Sequence, residues 1–195
     1  MMLIWAVVAP GQGTITFNAS SGLSSTYYNE SGMWFHVIIP SGSAYDNMAI
    51  VGPTPPGGNA PQNVTPYMGW FRQFNPTDYV SLSLTNGSAL GLTSVQLADP
   101  ISPSLSPVSI SFLGFKQDGS TVTNTFTTPG NGASTFLSYQ FNSAFASGLT
   151  SVSILANRWA MDNLAFTVPE PSVVSLALLS GGLFIYVRLR NRYRP

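Results

Sequence analysis

The chain has 195 residues, no cysteine, and seven basic side chains balanced by seven acidic ones. Disulfides, thiolate catalysis and cysteine-ligated metal centres are therefore excluded. Charged residues are only 7% of the chain, too few and too scattered before the C-terminus for a nucleic-acid surface, which needs clustered Lys and Arg.

Residues 1–11 open with Met-Met-Leu-Ile-Trp-Ala-Val-Val-Ala. This reads as a truncated signal-peptide remnant without a basic start, with Ala9 and Gly11 at the small-residue positions before a cut ahead of Gln12. A first strand of the body is the competing reading. From there to residue 167 the pattern is short apolar-polar alternations separated by Gly, Pro, Asn and Ser. Strands are predicted at 14–18, 33–39, 47–51, 68–75, 79–85, 94–98, 108–117, 121–128, 135–141, 150–156 and 160–168. Val80, Leu82 and Leu84 alternate with Ser81 and Ser83, and Val108, Ile110 and Phe112 alternate with serines. That period of two marks a sheet with one buried and one wet face.

Residues 53–66 are too rich in Pro and Gly for a strand and predict a long surface loop. Asp118-Gly119 predicts a hairpin turn joining two long strands, and residues 142–147 the one helical turn of the body. The phrase Gly-Leu-Thr-Ser-Val occurs at 91–95 and again at 148–152. Its simplest use is as a turn leading into a strand at two edges of a sandwich. About eleven strands with these turns predict an all-β fold, a two-sheet antiparallel β-sandwich of jelly-roll-like type spanning residues 12–167.

Candidate chemistry in the body is thin. His36 is the single histidine and sits among Trp34, Phe35, Val37 and Ile38. With no Gly-x-Ser-x-Gly elbow, a packed or surface strand histidine is expected rather than a triad member. The acids Glu30, Asp46, Asp78, Asp99, Asp118 and Asp162 are far apart in sequence, and most sit where turns want them. No catalytic pair and no metal ligands are assigned; a structural calcium ion is compatible with such a sandwich, and no other cofactor is expected. Aromatic residues come in adjacent pairs, Tyr27-Tyr28, Trp34-Phe35 and Trp70-Phe71, with Trp159 alone. Neighbours on a strand face opposite ways, so one of each pair can fill the core while the other faces water. An outward Trp or Tyr among Asn, Gln and Thr is a sugar-stacking surface. The four Asn-x-Ser/Thr sequons, at Asn18, Asn29, Asn63 and Asn86, follow from composition and receive no function.

The last 28 residues differ in kind. Val168-Pro169-Glu170-Pro171 begins them, and two prolines forbid a helix or central strand there. An apolar run at 173–187 follows, about 22 Å long as a helix, somewhat short of the roughly 30 Å hydrocarbon core. Arg188, Arg190, Arg192 and Arg194 complete the chain's end, the charge arrangement that the positive-inside rule keeps in the cytoplasm. Six acidic against three basic residues precede this segment, so the expected exported part carries a net charge of −3.

This order of motif, apolar helix and arginines resembles the PEP-CTERM sorting signal of Gram-negative bacteria that make extracellular polysaccharide. The resemblance covers residues 168–194 and implies recognition by an exosortase, with Pro169, Glu170 and Pro171 as the processing site and Arg188, Arg190, Arg192 and Arg194 setting membrane topology. Bodies carrying such tails often end, like this one, in a phrase such as Met161-Asp-Asn-Leu164. The expected protein is exported, first as a precursor anchored in the inner membrane by a transmembrane helix at 173–187, then at the cell surface or in the extracellular matrix. Its body is expected to be a non-enzymatic structural or adhesive matrix protein. The alternative is a carbohydrate-binding β-sandwich module with extracellular polysaccharide as partner, and a secreted hydrolase comes third.

Overall fold

A computed structural model describes residues 11–18, 24–40, 48–52, 61, 63–70, 77–99, 106–130, 135–155 and 159–169. The chain divides into two units, residues 12–168 and residues 1–11 together with 169–195. Apart from Gly11 and Pro169, the second unit lies outside the described residues, and with it Glu170, Pro171, the 173–187 segment and the four tail arginines. Among the described residues no helix is long and apolar enough to cross a membrane.

Among the described residues thirteen strands are present: β1 Gly11–Ile15, β2 Ser24–Ser25, β3 Tyr27–Glu30, β4 Met33–Ile38, β5 Met48–Val51, β6 Tyr67–Trp70, β7 Tyr79–Leu84, β8 Gly91–Ala98, β9 Ser109–Lys116, β10 Thr121–Thr127, β11 Leu137–Gln140, β12 Leu149–Leu155 and β13 Trp159–Val168. They make two antiparallel sheets. The seven-stranded sheet runs β11-β8-β13-β6-β5-β2, with β1 also on β13; the six-stranded sheet runs β10-β9-β12-β7-β4-β3. The expected two-sheet antiparallel sandwich is what the body forms.

Alternation drives this arrangement. On β7, Val80, Leu82 and Leu84 are buried while Tyr79, Ser81 and Ser83 are half-exposed. On β9, Ile110 and Phe112 point inward and Ser109 and Ser111 outward. The inward rows of both sheets meet in one core that includes Phe17, Phe35, Phe112, Phe145, Met161 and Leu164. Each such side chain contributes about 1.5–3 kcal/mol by leaving water. Phe112 is the centre of an aromatic group, edge-on to Phe126 at 5.7 Å and to Phe141 at 5.0 Å, with Phe141 stacked on Phe145 at 5.2 Å. A smaller apolar group of Tyr67, Ala98 and Ala160, with Val51 and Phe136 against it, stands apart from this core.

The Asp118-Gly119 hairpin forms as expected between β9 and β10. Asp118 accepts from the Ser120 backbone N–H at 2.9 Å and its hydroxyl at 2.6 Å, which hold its carboxyl below the usual range. Residues 142–147 contain a single 3₁₀ turn, Ser143–Phe145, capped by the Asn142 side chain accepting from Ala144 N–H.

The duplicated phrase has a different use from the one expected. Its two copies begin strands interior to their sheets, β8 between β11 and β13, and β12 between β9 and β7. They also meet: Leu90 and Leu149 exchange backbone hydrogen bonds of 2.8 and 2.9 Å, joining the two sheets at that end. The two glycines serve separate ends. Gly148 has φ of +76°, whereas at Gly91 a Cβ would lie 2.0 Å from the Ala146 carbonyl oxygen. The first needs a left-handed backbone and the second needs closeness. Strands β2 and β3 were not anticipated, because Ser-Ser and Tyr-Tyr-Asn-Glu show no apolar alternation.

Candidate functional site

The carboxylates of the body are placed for structure. Asp162 on β13 is fully buried. It accepts from Asn63 Nδ2 at 2.7 Å, Thr65 Oγ1 at 2.9 Å and the Asn163 backbone N–H at 2.7 Å, with Asn163 Nδ2 at 3.1 Å. Asn163 has φ of +47° and lies where the pairing of β13 with β8 shifts register. Its Nδ2 also donates to Gln96 Oε1 at 2.8 Å. Burial pushes the Asp162 carboxyl above its usual range, the hydrogen bonds pull it part of the way back, and the charge of Glu30 adds to the rise. The effect is to fasten residues 63–65, the end of the Pro- and Gly-rich loop, onto β13. The rest of that loop is not described.

Asp99 is also buried; it accepts from Thr128 Oγ1 and, at 3.0 Å, from Gly130 N–H. Asp78 is buried as well, with Thr77 Oγ1 at 3.4 Å. Glu30 accepts from Tyr28 OH at 2.5 Å and from Thr16 N–H at 2.9 Å. Turn positions thus explain Asp118 but not these others. Asp46 lies outside the described residues. Among the described residues no three of His, Cys, Asp and Glu gather as a metal site. Of the sorting motif, only Pro169 is described, exposed just after β13.

The outward aromatics are more informative. Two of the adjacent pairs split as strand geometry requires: Tyr28 and Phe35 enter the core, while Tyr27 is 61% and Trp34 43% exposed; the Trp70 side chain and Phe71 lie outside the described residues. Trp159 is buried. His36 is exposed two residues beyond Trp34, and the two rings stack with centroids 5.8 Å apart and planes 5° from parallel. Tyr27 on β3 is the cross-strand partner of His36, and Asn29 that of Trp34. On the other side, Ser81 and Ser83 of β7 pair with His36 and Trp34. One end of the six-stranded sheet thus presents two outward rings and an imidazole, set among amide and hydroxyl groups. Such rings offer apolar faces to sugar C–H groups while the polar neighbours hydrogen-bond sugar hydroxyls.

A second concavity of about 330 Å³ opens between β1, β8 and β13, lined by Gln12, Gly13, Thr14, Thr93, Ala165 and Phe166. The Phe166 ring packs over Gly13, where a Cβ would lie 2.5 Å from it. The polar side chains of this concavity are Gln12, Thr14 and Thr93, with no charged group among the lining residues.

These observations define the body as a two-sheet antiparallel β-sandwich with an outward aromatic patch. No family model matches the chain and no curated protein does. Among solved structures it is similar to the C-terminal family 22 carbohydrate-binding module of Clostridium thermocellum Xyn10B, at 11% identity and a TM-score of 0.44, over 81% of this chain and 94% of that one. It is also similar to the CBM22-1 xylan-binding domain from Paenibacillus barcinonensis Xyn10C, at 13% identity and 0.40, over 86% and 100%. A family 11 carbohydrate-binding module from Clostridium thermocellum, in complex with a β-1,3-1,4-mixed-linked tetrasaccharide, matches at 10% identity and 0.40, over 82% and 96%. At these identities and scores no residue correspondence and no ligand follow from the likeness.

Proposed function

We propose that the body is a non-enzymatic, carbohydrate-binding β-sandwich, exported and brought to the cell surface or extracellular matrix by its PEP-CTERM-like tail. The observation that carries the binding half is the outward Trp34–His36 stack with Tyr27 beside it. Large rings left in water at a sheet face cost solvation unless a ligand covers them, and sugars are ligands suited to such rings. A non-enzymatic role agrees with Asp99 and Asp162, which are committed to internal hydrogen bonds. Jelly-roll-like connectivity belongs to the same reading, because from β7 to β13 the chain crosses repeatedly between the sheets.

Trp34→Ala is expected to weaken retention on polysaccharide gels tenfold or more, leaving the melting temperature within a few degrees, since stacking on one ring is worth on the order of 1–2 kcal/mol. Affinity electrophoresis against a panel of plant and bacterial polysaccharides reads this. Failure of the wild-type chain to be retarded by any of them would remove the carbohydrate reading.

The tail half rests on the order of motif, apolar run and arginines. Two prolines hold Glu170 in an extended peptide that a protease cleft can grip without first ordering it. In an exosortase-bearing host, Glu170→Gln should leave uncut precursor in the inner membrane. Mass spectrometry of the C-terminus decides. Wild-type protein that still ends in Arg194-Pro195 after reaching the surface would make the tail a plain anchor.

A further inference from the structure

The cross-strand registers place outward residues of the six-stranded sheet in continuous rows. One row runs Tyr27, His36, Ser81, Ser153, Leu113, Thr123 across all six strands. The row beside it contains Asn29, Trp34 and Ser83, and further across Ser151, Phe115 and Thr121. Both rows therefore change in the same sense. Each has a ring on β4, His36 or Trp34, with Tyr27 on β3 beside the first; each drops to serines on β7 and β12 and rises again to Leu113 or Phe115 on β9.

Side chains stand roughly perpendicular to a sheet, so height follows side-chain size. Short serines between tall neighbours make a trough that runs parallel to the strands. Ser81, Ser83, Ser151 and Ser153 are its floor; Ser153, 6% exposed, is covered by its neighbours, so the reachable hydroxyls are those of Ser81, Ser83 and Ser151. Trp34 and His36 are one wall. Leu113, with Phe115 (37% exposed), is the other, and Leu155 (40% exposed) follows Ser153 outward on β12. Between the β4 and β9 backbones lie three strand spacings, about 14 Å, and the two serine rows make a floor about 7 Å long, bounded beyond Ser81 and Ser153 by the larger Tyr79 and Leu155 of the same strands.

Two further features define what fits. The outward positions of these six strands carry no carboxylate, ammonium or guanidinium group. On β9 and β10 the outward hydroxyls engage each other, Ser111 with Thr125 at 2.8 Å and Ser109 with Thr127 at 3.3 Å. Among the described residues no such pairing ties up the four trough serines. A floor of hydroxyls that both donate and accept, between apolar walls, with no charge, is complementary to a sugar chain: hydroxyl edges down, C–H faces to the sides. It offers no cation to offset the charge of a uronate or sulfate group, and it lies on a sheet face, where no backbone ladder could hold a peptide strand.

We infer that this serine-floored trough is the binding site for a neutral, unbranched polysaccharide, the chain lying parallel to the strands against Trp34. The inference rests on the carbohydrate reading and narrows it to one ligand class and one site.

The test uses the full chain in detergent micelles, by affinity electrophoresis against mixed-linked glucan, galactomannan and arabinoxylan, with polygalacturonate and alginate as acidic polymers. Ser83→Tyr and Ser151→Tyr each fill the trough from a different strand, at half-exposed positions where tyrosine suits a sheet. Each should weaken binding of the neutral polymer tenfold or more, whereas Thr125→Ala, beyond the Leu113 wall, should change it less than twofold. If both tyrosine variants fold poorly, ligand-induced shifts of wild-type amide signals answer instead, and they should concentrate on β7 and β12 rather than β10. Tyrosine variants that bind as wild type while Trp34→Ala does not would overturn the trough and leave the carbohydrate reading standing. Acidic polymers held as tightly as neutral ones would overturn the neutral specificity. No retardation by any polymer would remove both.

Discussion

Truncating Phe112 to alanine is expected to cost about 3–5 kcal/mol, the range for removing a large buried ring from a core that cannot close around the gap. The side chain is fully buried and touches both Phe126 and Phe141 edge-on. Its loss therefore removes aromatic pairing as well as area, on a strand between β10 and β12 at the middle of its neighbours. Equilibrium urea denaturation of residues 12–168 measures the effect. A loss below about 1 kcal/mol would mean that Phe141 and Phe145 refill the space, and that the core is less rigidly specified than its ring geometry implies.

Asp162→Ala should be comparably damaging, about 3 kcal/mol, because it leaves the Asn63 amide, the Thr65 hydroxyl and the Asn163 N–H without their buried acceptor. The pH dependence carries a distinct signature. Burial raises the folded carboxyl above its unfolded value of about 4. Its stabilising contribution is therefore complete below that unfolded value and is lost as pH rises through the folded one. Relative to Asp162→Asn, which does not titrate, the wild-type melting temperature should improve as pH falls from 7 toward 4. A difference that shrinks toward acid would mean that the hydrogen bonds outweigh burial and that the carboxyl is held low.

These two residues also mark what a sequence can convey. Phe112 was legible as core, because Ser109-Ile-Ser-Phe112 alternates and its partners alternate too. Asp162 was not. It interrupts an apolar strand in the phrase Met-Asp-Asn-Leu, and its role depends on Asn63 and Thr65, about a hundred positions earlier in the chain. An acidic residue beside Asn inside an apolar strand was the available signal, since a buried carboxylate requires donors and a following residue of left-handed backbone is often Asn. The outward Trp34 and Tyr27 were legible as one of each adjacent pair, by strand parity alone. The trough was half legible. Alternation put Ser81 and Ser83 on a wet face, but only the pairing of β7 with β12 brings Ser151 and Ser153 beside them, and those strands are some seventy residues apart. Sequence patterns are local, and sheet neighbours need not be.

The outer side of β10 bears on how copies of this chain meet. Strands at a sheet edge tend to recruit other strands, yet this one is occupied. The Tyr139 hydroxyl donates to the Thr127 carbonyl at 3.0 Å, and the Asn142 amide reaches the Thr123 carbonyl at 3.5 Å. The Asn142 backbone N–H bonds the Asn124 side chain at 2.8 Å. Two of the carbonyls that an incoming strand would use along this margin are therefore already engaged. An edge strand engaged in this way is less open to pairing with a second copy than a bare one.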